Sequence, residues 1–264
     1  NGQTPNPVVK CNREVKFYEL LKLREQVGAD FLATGHYAKI TNYNNEYWLE
    51  KADDLKKDQS YFLGQLKYEY LKYIKFPLSE ITKEDVRKYA KKLNLVVAEK
   101  KESQDICFTQ NKNYKDIIKD YYSTNEGNIV DIETNKILAK HTGIINYTQG
   151  QRKGLNIGGS SEPLFVINID SLTNTIFVGK EKYLYKNTLK INNVNFLDLN
   201  LEFEKEYIFD VKLRSTNNAN KSKIIFHKDF TADLELLEES RNITKGQVCV
   251  VYFKNRVLAS GYII

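Results

Sequence analysis

The stretch Gly28-Ala-Asp-Phe-Leu-Ala-Thr-Gly-His-Tyr37 decides how the first part of the chain is read. Ala29 to Thr34 has the length and composition of a short buried strand, and it runs into a glycine–histidine pair, Gly35-His36. Upstream, Val15 to Val27 carries Phe17, Leu20 and Leu21 at helical spacing, and Gly28 stands where a helix stops. Downstream lie a polar, hairpin-like stretch around Asn42 to Glu50 and the segment Asp58-Gln-Ser-Tyr-Phe-Leu63. A second helix follows: Thr82 is a natural N-cap, Val86, Tyr89, Ala90 and Leu93 form one face, and Asn94 is a stop. Leu95-Val-Val97 then reads as a strand. Helices alternating with short apolar strands predict an α/β unit with a parallel sheet. Ligands of such sheets gather at the carboxyl ends of the strands, so Gly35-His36 is well placed for a nucleotide. A histidine satisfied within a turn is the competing reading.

From about Asn111 the character changes. A Tyr-rich helix, Tyr114 to Tyr122, leads into a turn and strand at Gly127-Asn-Ile-Val-Asp131. The segment from Tyr147 to Gly159 is dense in glycine and cations, and its Gln149-Gly-Gln-Arg-Lys-Gly-Leu155 loop could hold phosphates through backbone N–H groups, Arg152 and Lys153. It does not fit the Walker pattern, and an exposed turn is its plain reading. The last part alternates in short runs: Leu189–Phe196, Tyr207–Arg214, Lys223–His227, Thr231–Leu237, Gln247–Phe253 and Arg256–Ile263. These runs, separated by polar turns, predict a small antiparallel barrel or sandwich.

A chain of 264 residues has room for two or three domains. Its 41% hydrophobic and 28% charged residues are ordinary for a globular protein. No apolar run is long enough to span a bilayer, so membrane and secretion readings are poor. A net charge of +6 suits a polyanionic partner without requiring one. There is no methionine, and Asn1 to Lys10 already reads as a Pro-rich functional loop, so the chain is expected to begin inside a longer gene product.

The cysteines are Cys11, Cys107 and Cys249, a sparse, odd set without C-x-x-C spacing that fits a reducing compartment better than a disulfide scaffold or zinc ribbon. Cys11 follows a rigid loop and precedes the expected helix, with Lys10 and Arg13 beside it, which are physical reasons for reactivity. Cys107, in Glu102-Ser-Gln-Asp-Ile-Cys-Phe108, has apolar neighbours that make a buried structural cysteine a fair reading. Cys249 alternates with valines in a barrel strand and reads as core. A Cys–His–Asn hydrolase drawn from Cys11, His36 and Asn12 is discounted, because adjacent Cys and Asn cannot readily serve one imidazole in the nucleophile and orienting roles.

Taken in order, several strings resemble the MnmA-type tRNA-specific 2-thiouridylases, a family with mitochondrial members. They are G-Q-T-P-N-P-x-x-x-C-N from Gly2, V-K-F, G-A-D-F-L-A-T-G-H-Y, K-D-Q-S-Y-F-L, F-P-L-S-E-I-T-K-E-D-V-R, S-Q-D-I-C-F and Y-T-x-G-Q-R-K-G-L, with T-K-G-Q-V as a weaker match. The resemblance implies an adenine-nucleotide α-hydrolase-like partial domain at 1–110, a small central α+β tRNA-binding domain at 111–185, and an antiparallel β-barrel at 186–264. The family's S-G-G-x-D-S pyrophosphate loop does not occur in these 264 residues and is expected before residue 1.

The implied reaction is ATP-dependent 2-thiolation of the wobble uridine of tRNA, with Mg2+ accompanying the nucleotide. Cys107 would carry persulfide sulfur from a donor protein and Cys11 would resolve it. Gly35 would contact adenosine, Asn6, Pro7 and Val8 would flank the target base, and His36, Lys57, Asp58, Gln59, Arg214, Ser215 and Gln247 would face tRNA. A monomer in the cytoplasm or an organellar matrix is implied. Two departures stand out: Val8 occupies a position where relatives often carry Asp or Cys, and Ser215-Thr216 replaces a more aromatic, basic stretch. A tRNA-binding fragment or degenerate relative without catalysis is the alternative.

Overall fold

The computed structural model describes residues 3–96, 98–99, 125–158 and 162–264. Pro7 at a helix's first position loses nothing by lacking an N–H, and the Asn6 side chain accepts from the Val9 N–H at 3.4 Å. Helix α1 (Pro7–Lys10) therefore starts well before the Val15 expected from periodicity, and it continues through a π-helical stretch, Cys11–Phe17, into α2 (Tyr18–Gln26). The Asn-Pro pair read as a rigid loop is in fact a helix start. Gly28, at φ +69°, ends the run as expected.

Strand β1 is shorter than the sequence predicts, Leu32–Ala33, and it pairs in parallel with β4 (Ile74–Lys75). It is not buried as expected: Ala33 within it and Phe31 beside it are exposed, and among the described residues β4 is its one ladder partner. The hairpin β2 (Ala38–Tyr43) and β3 (Glu46–Lys51) turns on Asn44 and Asn45, both left-handed at φ +51° and +65°. Asparagine tolerates that geometry, which matches the strands' twist.

A short helix α3 (Ser60–Leu63) precedes α4 (Lys83–Lys92). Thr82 caps α4 by accepting from the Asp85 N–H at 3.2 Å, acids occupy its first turn and lysines its last, and Asn94 follows at φ +51°. Its expected apolar face is not buried: Tyr89 is 58% and Leu93 66% exposed. Leu95 and Val96 form no strand, because no described neighbour supplies ladder bonds; Val97 lies outside the described residues, as does the expected helix at Tyr114 to Tyr122.

The central sheet contains β5 (Gly127–Asp131), β6 (Ile137–His141), β7 (Phe165–Asp170) and β8 (Thr175–Gly179), ordered β6-β5-β8-β7 around Ile129, Val166, Ile176 and Val178. The closing strands are β9 (Tyr185–Phe196), β10 (Glu206–Lys212), β11 (Asn220–Phe226), β12 (Ala232–Arg241), β13 (Val248–Phe253) and β14 (Arg256–Ile263). They run β13-β10-β11-β12-β9-β14, and β14 pairs back to β13, so the predicted barrel is a closed, six-stranded antiparallel one.

Strand β13 explains how the barrel joins the rest. A barrel strand with one wet face alternates, yet Val248-Cys-Val-Val-Tyr252 is apolar throughout and buried throughout. Cys249 and Val251 point into the barrel core with Val211, Ile224 and Leu258. Val248, Val250 and Tyr252 point outward and share a second core with Leu49, Tyr61, Leu63, Phe17 and Val9. Cys249 is core, as its alternation with valines predicts, and burial pushes its thiol up to about 12.

The second core is polar at its edges. The Tyr61 hydroxyl donates to the Val248 carbonyl at 2.7 Å, Gln65 donates to Ser260, and Asn195 donates to the Gly64 and Leu66 carbonyls at 2.9 and 2.7 Å. Each such bond contributes about 1 kcal/mol net and costs more if one partner is left buried and alone. Gly64 sits close against the barrel here, since a Cβ would lie 3.3 Å from Val250 and Ser260.

Leu63→Ala is expected to lose about 2–5 kcal/mol of unfolding free energy, measured as a lower urea midpoint without a change in slope. On the barrel wall, His227 lies 2.8 Å from Glu204 and 3.2 Å from Asp233, and its hydrogen bond to Glu204, then that to Asp233, raises its pKa. The folded state thus holds the proton more tightly, so this contribution is complete below about pH 6.5 and is lost as pH rises through the raised folded value. Melting scans of the parent and His227→Gln should converge as pH rises above that window.

Candidate active site at the seam between helix and barrel

Residues Thr4 to Asn6 belong to no helix or strand, and the barrel holds them. The Thr4 N–H donates to the Lys245 carbonyl at 2.9 Å, and the Gln247 side-chain amide donates to the Thr4 carbonyl at 2.7 Å. Gly246 is left-handed at φ +87°, and a Cβ there would lie 3.0 Å from Gln3 and 3.2 Å from the Thr4 nitrogen. Only glycine suits that position on both counts. Val9, just past Asn6, is fully buried in the core that holds Tyr61, so the segment reaches the shared core directly.

Cys11 is half-buried and opens the π-helical stretch, a geometry that is rare and frequent at functional sites. Its N–H donates to the carbonyls of Pro7 and Val8. Buried Val9 and buried Asn12, whose amide donates to the Phe62 carbonyl at 3.3 Å, fix the helix's rotation and leave Val8 38% exposed. The position expected for Cys11 needs correction: it lies past the first helical turn, not ahead of a helix, where the dipole's effect has faded. Its cationic neighbours have other partners. Lys10 pairs with Glu14 at 3.7 Å, and Arg13 donates to Gln65 at 2.6 Å.

His36 follows β1 and packs against Phe17 and Phe76, with ring centroids 5.4 and 5.9 Å away. Its Nδ1 shares a 2.8 Å hydrogen bond with the Thr34 hydroxyl. Burial, helped by nearby Lys16, lowers its pKa to about 4, so the imidazole is neutral near pH 7. Gly35 is open: a Cβ there would meet nothing nearer than Leu78 at 3.8 Å. This glycine lies at a strand's carboxyl end, where open α/β sheets gather their ligands.

The triad Lys57-Asp58-Gln59 ties this strand end to the seam. Gln59 brackets Tyr37, accepting its N–H on the side chain at 3.0 Å and donating its own N–H to the Tyr37 carbonyl at 2.7 Å. Asp58 accepts from the N–H groups of Ala52 and Ser60, both at 3.1 Å, and from the Ser60 hydroxyl at 2.8 Å. Lys57 is half-buried in the turn before them. The resemblance implies that these residues face RNA; their bracing contacts are set by the fold and have no signature in the sequence.

Arg214 is half-buried and donates to the Thr244 hydroxyl at 2.5 Å and the Asn242 carbonyl at 3.2 Å. Burial lowers its pKa, though a guanidinium stays charged. The carbonyl of Ser215 accepts from Lys212 at 3.1 Å. The Gln149–Leu155 loop docks on the same turn: Asn242 donates to the Gln149 carbonyl at 3.1 Å and Gln149 donates to the Ile243 carbonyl at 3.2 Å. Arg152 and Lys153 project from it, exposed. Asn242, Thr244, Thr4 and Tyr61 are not singled out by the sequence, although Thr4, Tyr61 and Thr244 lie within the strings G-Q-T-P-N-P, K-D-Q-S-Y-F-L and T-K-G-Q-V.

Cys107 lies outside the described residues. Among the described residues no cluster of His, Cys, Asp and Glu could hold a metal ion, and no helix is long and apolar enough to cross a membrane.

Comparison with known proteins covers the whole chain. Residues 1–111 match the family model described as tRNA methyl transferase HUP domain, 115–180 the tRNA methyl transferase PRC-barrel domain, and 186–263 the aminomethyltransferase beta-barrel domain. A tRNA-specific 2-thiouridylase MnmA of Anaplasma marginale is 40% identical over 99% of this chain and 67% of its own length. Proteins of that name from Rickettsia felis and Rickettsia prowazekii are each 40% identical, over 99% and 100% of this chain and 72% and 74% of their own lengths. With a HUP domain first, a PRC-barrel domain second and a closed barrel last, the chain belongs to the tRNA-specific 2-thiouridylase MnmA family.

Proposed function

We propose that this chain takes part in 2-thiolation of a tRNA uridine, the wobble position of the anticodon, with Cys11 and Cys107 as its two working thiols. The observation that carries this reading is the setting of Cys11. It sits half-buried where a π-helical stretch begins, three positions after Asn6-Pro7-Val8, a segment whose approach the barrel holds at Thr4. Relatives sharing about two-fifths of its residues are named for that reaction.

Bound ATP supplies the activation that makes the C2 oxygen of uridine a leaving group, and Gly35 with its open surroundings would hold the adenosine. Cys107 carries a persulfide loaded by a donor protein. Its terminal sulfur bonds to C2 as the activated oxygen departs, which leaves the base joined to Cys107 through two sulfurs. The Cys11 thiolate attacks the Cys107 sulfur, the old S–S bond breaks, and its electron pair stays on the sulfur now held by C2. A Cys11–Cys107 disulfide remains, and an external dithiol must reduce it before another cycle. Asn6, Pro7 and Val8 flank the base, which must be flipped from its stack to arrive there. His36, neutral in its aromatic setting, offers the tRNA side of the site a hydrogen-bonding group rather than a charge. Arg152 and Lys153 supply salt-sensitive phosphate contacts.

The test is nucleoside mass spectrometry of tRNA from a thiolation-deficient strain expressing the gene product that carries this chain. Cys11→Ser and Cys107→Ser should each abolish 2-thiouridine, while Cys249→Ala, which alters a side chain inside the barrel core, should retain most of it. Equal loss from all three would contradict the cysteine assignment. Restored thiolation by none, with tRNA binding intact, would favour a docking module without catalysis.

A further inference from the structure

Deepening the proposed function, we infer that Gln247 is a positioning residue for sulfur transfer, acting through the Thr4 backbone to fix Asn6-Pro7-Val8 relative to Cys11. The turn Asn242–Gln247 meets Thr4 from both sides: Lys245 accepts its N–H at 2.9 Å, and the Gln247 amide donates to its carbonyl at 2.7 Å. Together these make a two-point clamp, which fixes orientation as well as distance. The partners lie 243 positions apart in sequence, so the clamp joins the last domain to the first.

The clamp has a rigid base. Gln247 donates its backbone N–H to the Thr244 carbonyl at 3.3 Å and accepts from Ile263 at 2.9 Å. Thr244 is buried, its hydroxyl held by Arg214 at 2.5 Å and donated to the Asn242 carbonyl at 3.1 Å. Gly246 brings the backbone close enough to touch Gln3 and Thr4. On the other side the slack is short: Thr4 is two residues before the Asn6 cap and seven before Cys11 (6 − 4 and 11 − 4). One of the two Gln247 amide N–H groups is committed to Thr4, which makes this bond part of the fold itself. Reaction rates fall steeply when reacting groups are misplaced by about 1 Å, so a loosened Thr4 should slow transfer more than it weakens RNA binding.

The gene product carrying this chain would be compared with Gln247→Ala and with Gln247→Glu, which keeps the shape and an acceptor but has no N–H for the Thr4 carbonyl. Three readouts are needed: amide hydrogen exchange across residues 3–9, tRNA Kd for an unmodified transcript, and the single-turnover thiolation rate at saturating tRNA. Both variants should exchange faster across residues 3–9 and lose about tenfold or more in rate, with tRNA Kd within about twofold of the parent. Kd weakened about tenfold with the saturated rate and exchange unchanged would overturn the proposal and make Gln247 an RNA contact. Unchanged behaviour in every readout, or global unfolding of both variants, would overturn it too. If the parent itself transfers no sulfur, the functional reading fails, and faster exchange confined to residues 3–9 still reports on the clamp.

Discussion

The structure depends on one constraint: β13 is buried on both faces. A barrel wall with a wet outer side would not need Val248, Val250 and Tyr252 to be apolar, and here their burial is what holds the N-terminal elements. Each such side chain contributes about 1.5–3 kcal/mol by leaving water. Tyr61, Gln65 and Asn195 then set register along the seam, because each buries a polar group that must find its partner across it. The first and last domains are therefore two faces of one packed interior.

That arrangement places the candidate site at a junction. The Thr4–Asn6 loop, the Cys11 turn and the strand end at Gly35-His36 come from the first domain, while their supports come from the Asn242–Gln247 turn and the core beneath it. The same turn receives the Gln149–Leu155 loop from the central domain. Sulfur transfer between thiols demands close, ordered approach of two side chains. A loop without secondary structure meets that demand only if something outside it removes its freedom.

Much of this architecture was legible in the sequence because it follows from local rules. The six barrel strands, the Thr82 cap, the Gly28 stop and the core place of Cys249 come from alternation, capping and burial preference, each confined to a few neighbouring residues. What was missed is non-local or hangs on competing local readings. Asn6-Pro7 suits a loop as well as a helix start, and only the packed Val9 decides between them. The apolar face of α4 and the Leu95–Val96 run had the right pattern but met no partner among the described residues. The contacts of Gln247 and Arg214 are of the kind no periodicity encodes, since each spans tens to hundreds of positions.

The central claim is that the N-terminal elements and the barrel share one interior. Trp48 is the chain's one tryptophan and lies in β3, beside Leu49 of the shared core. Urea unfolding followed by Trp48 fluorescence, and in parallel by the far-ultraviolet signal of the strands, compares the two sides of the seam directly. A shared interior predicts coincident transitions with one midpoint and one slope. Two separated transitions, with Trp48 released while the strand signal persists, would contradict it.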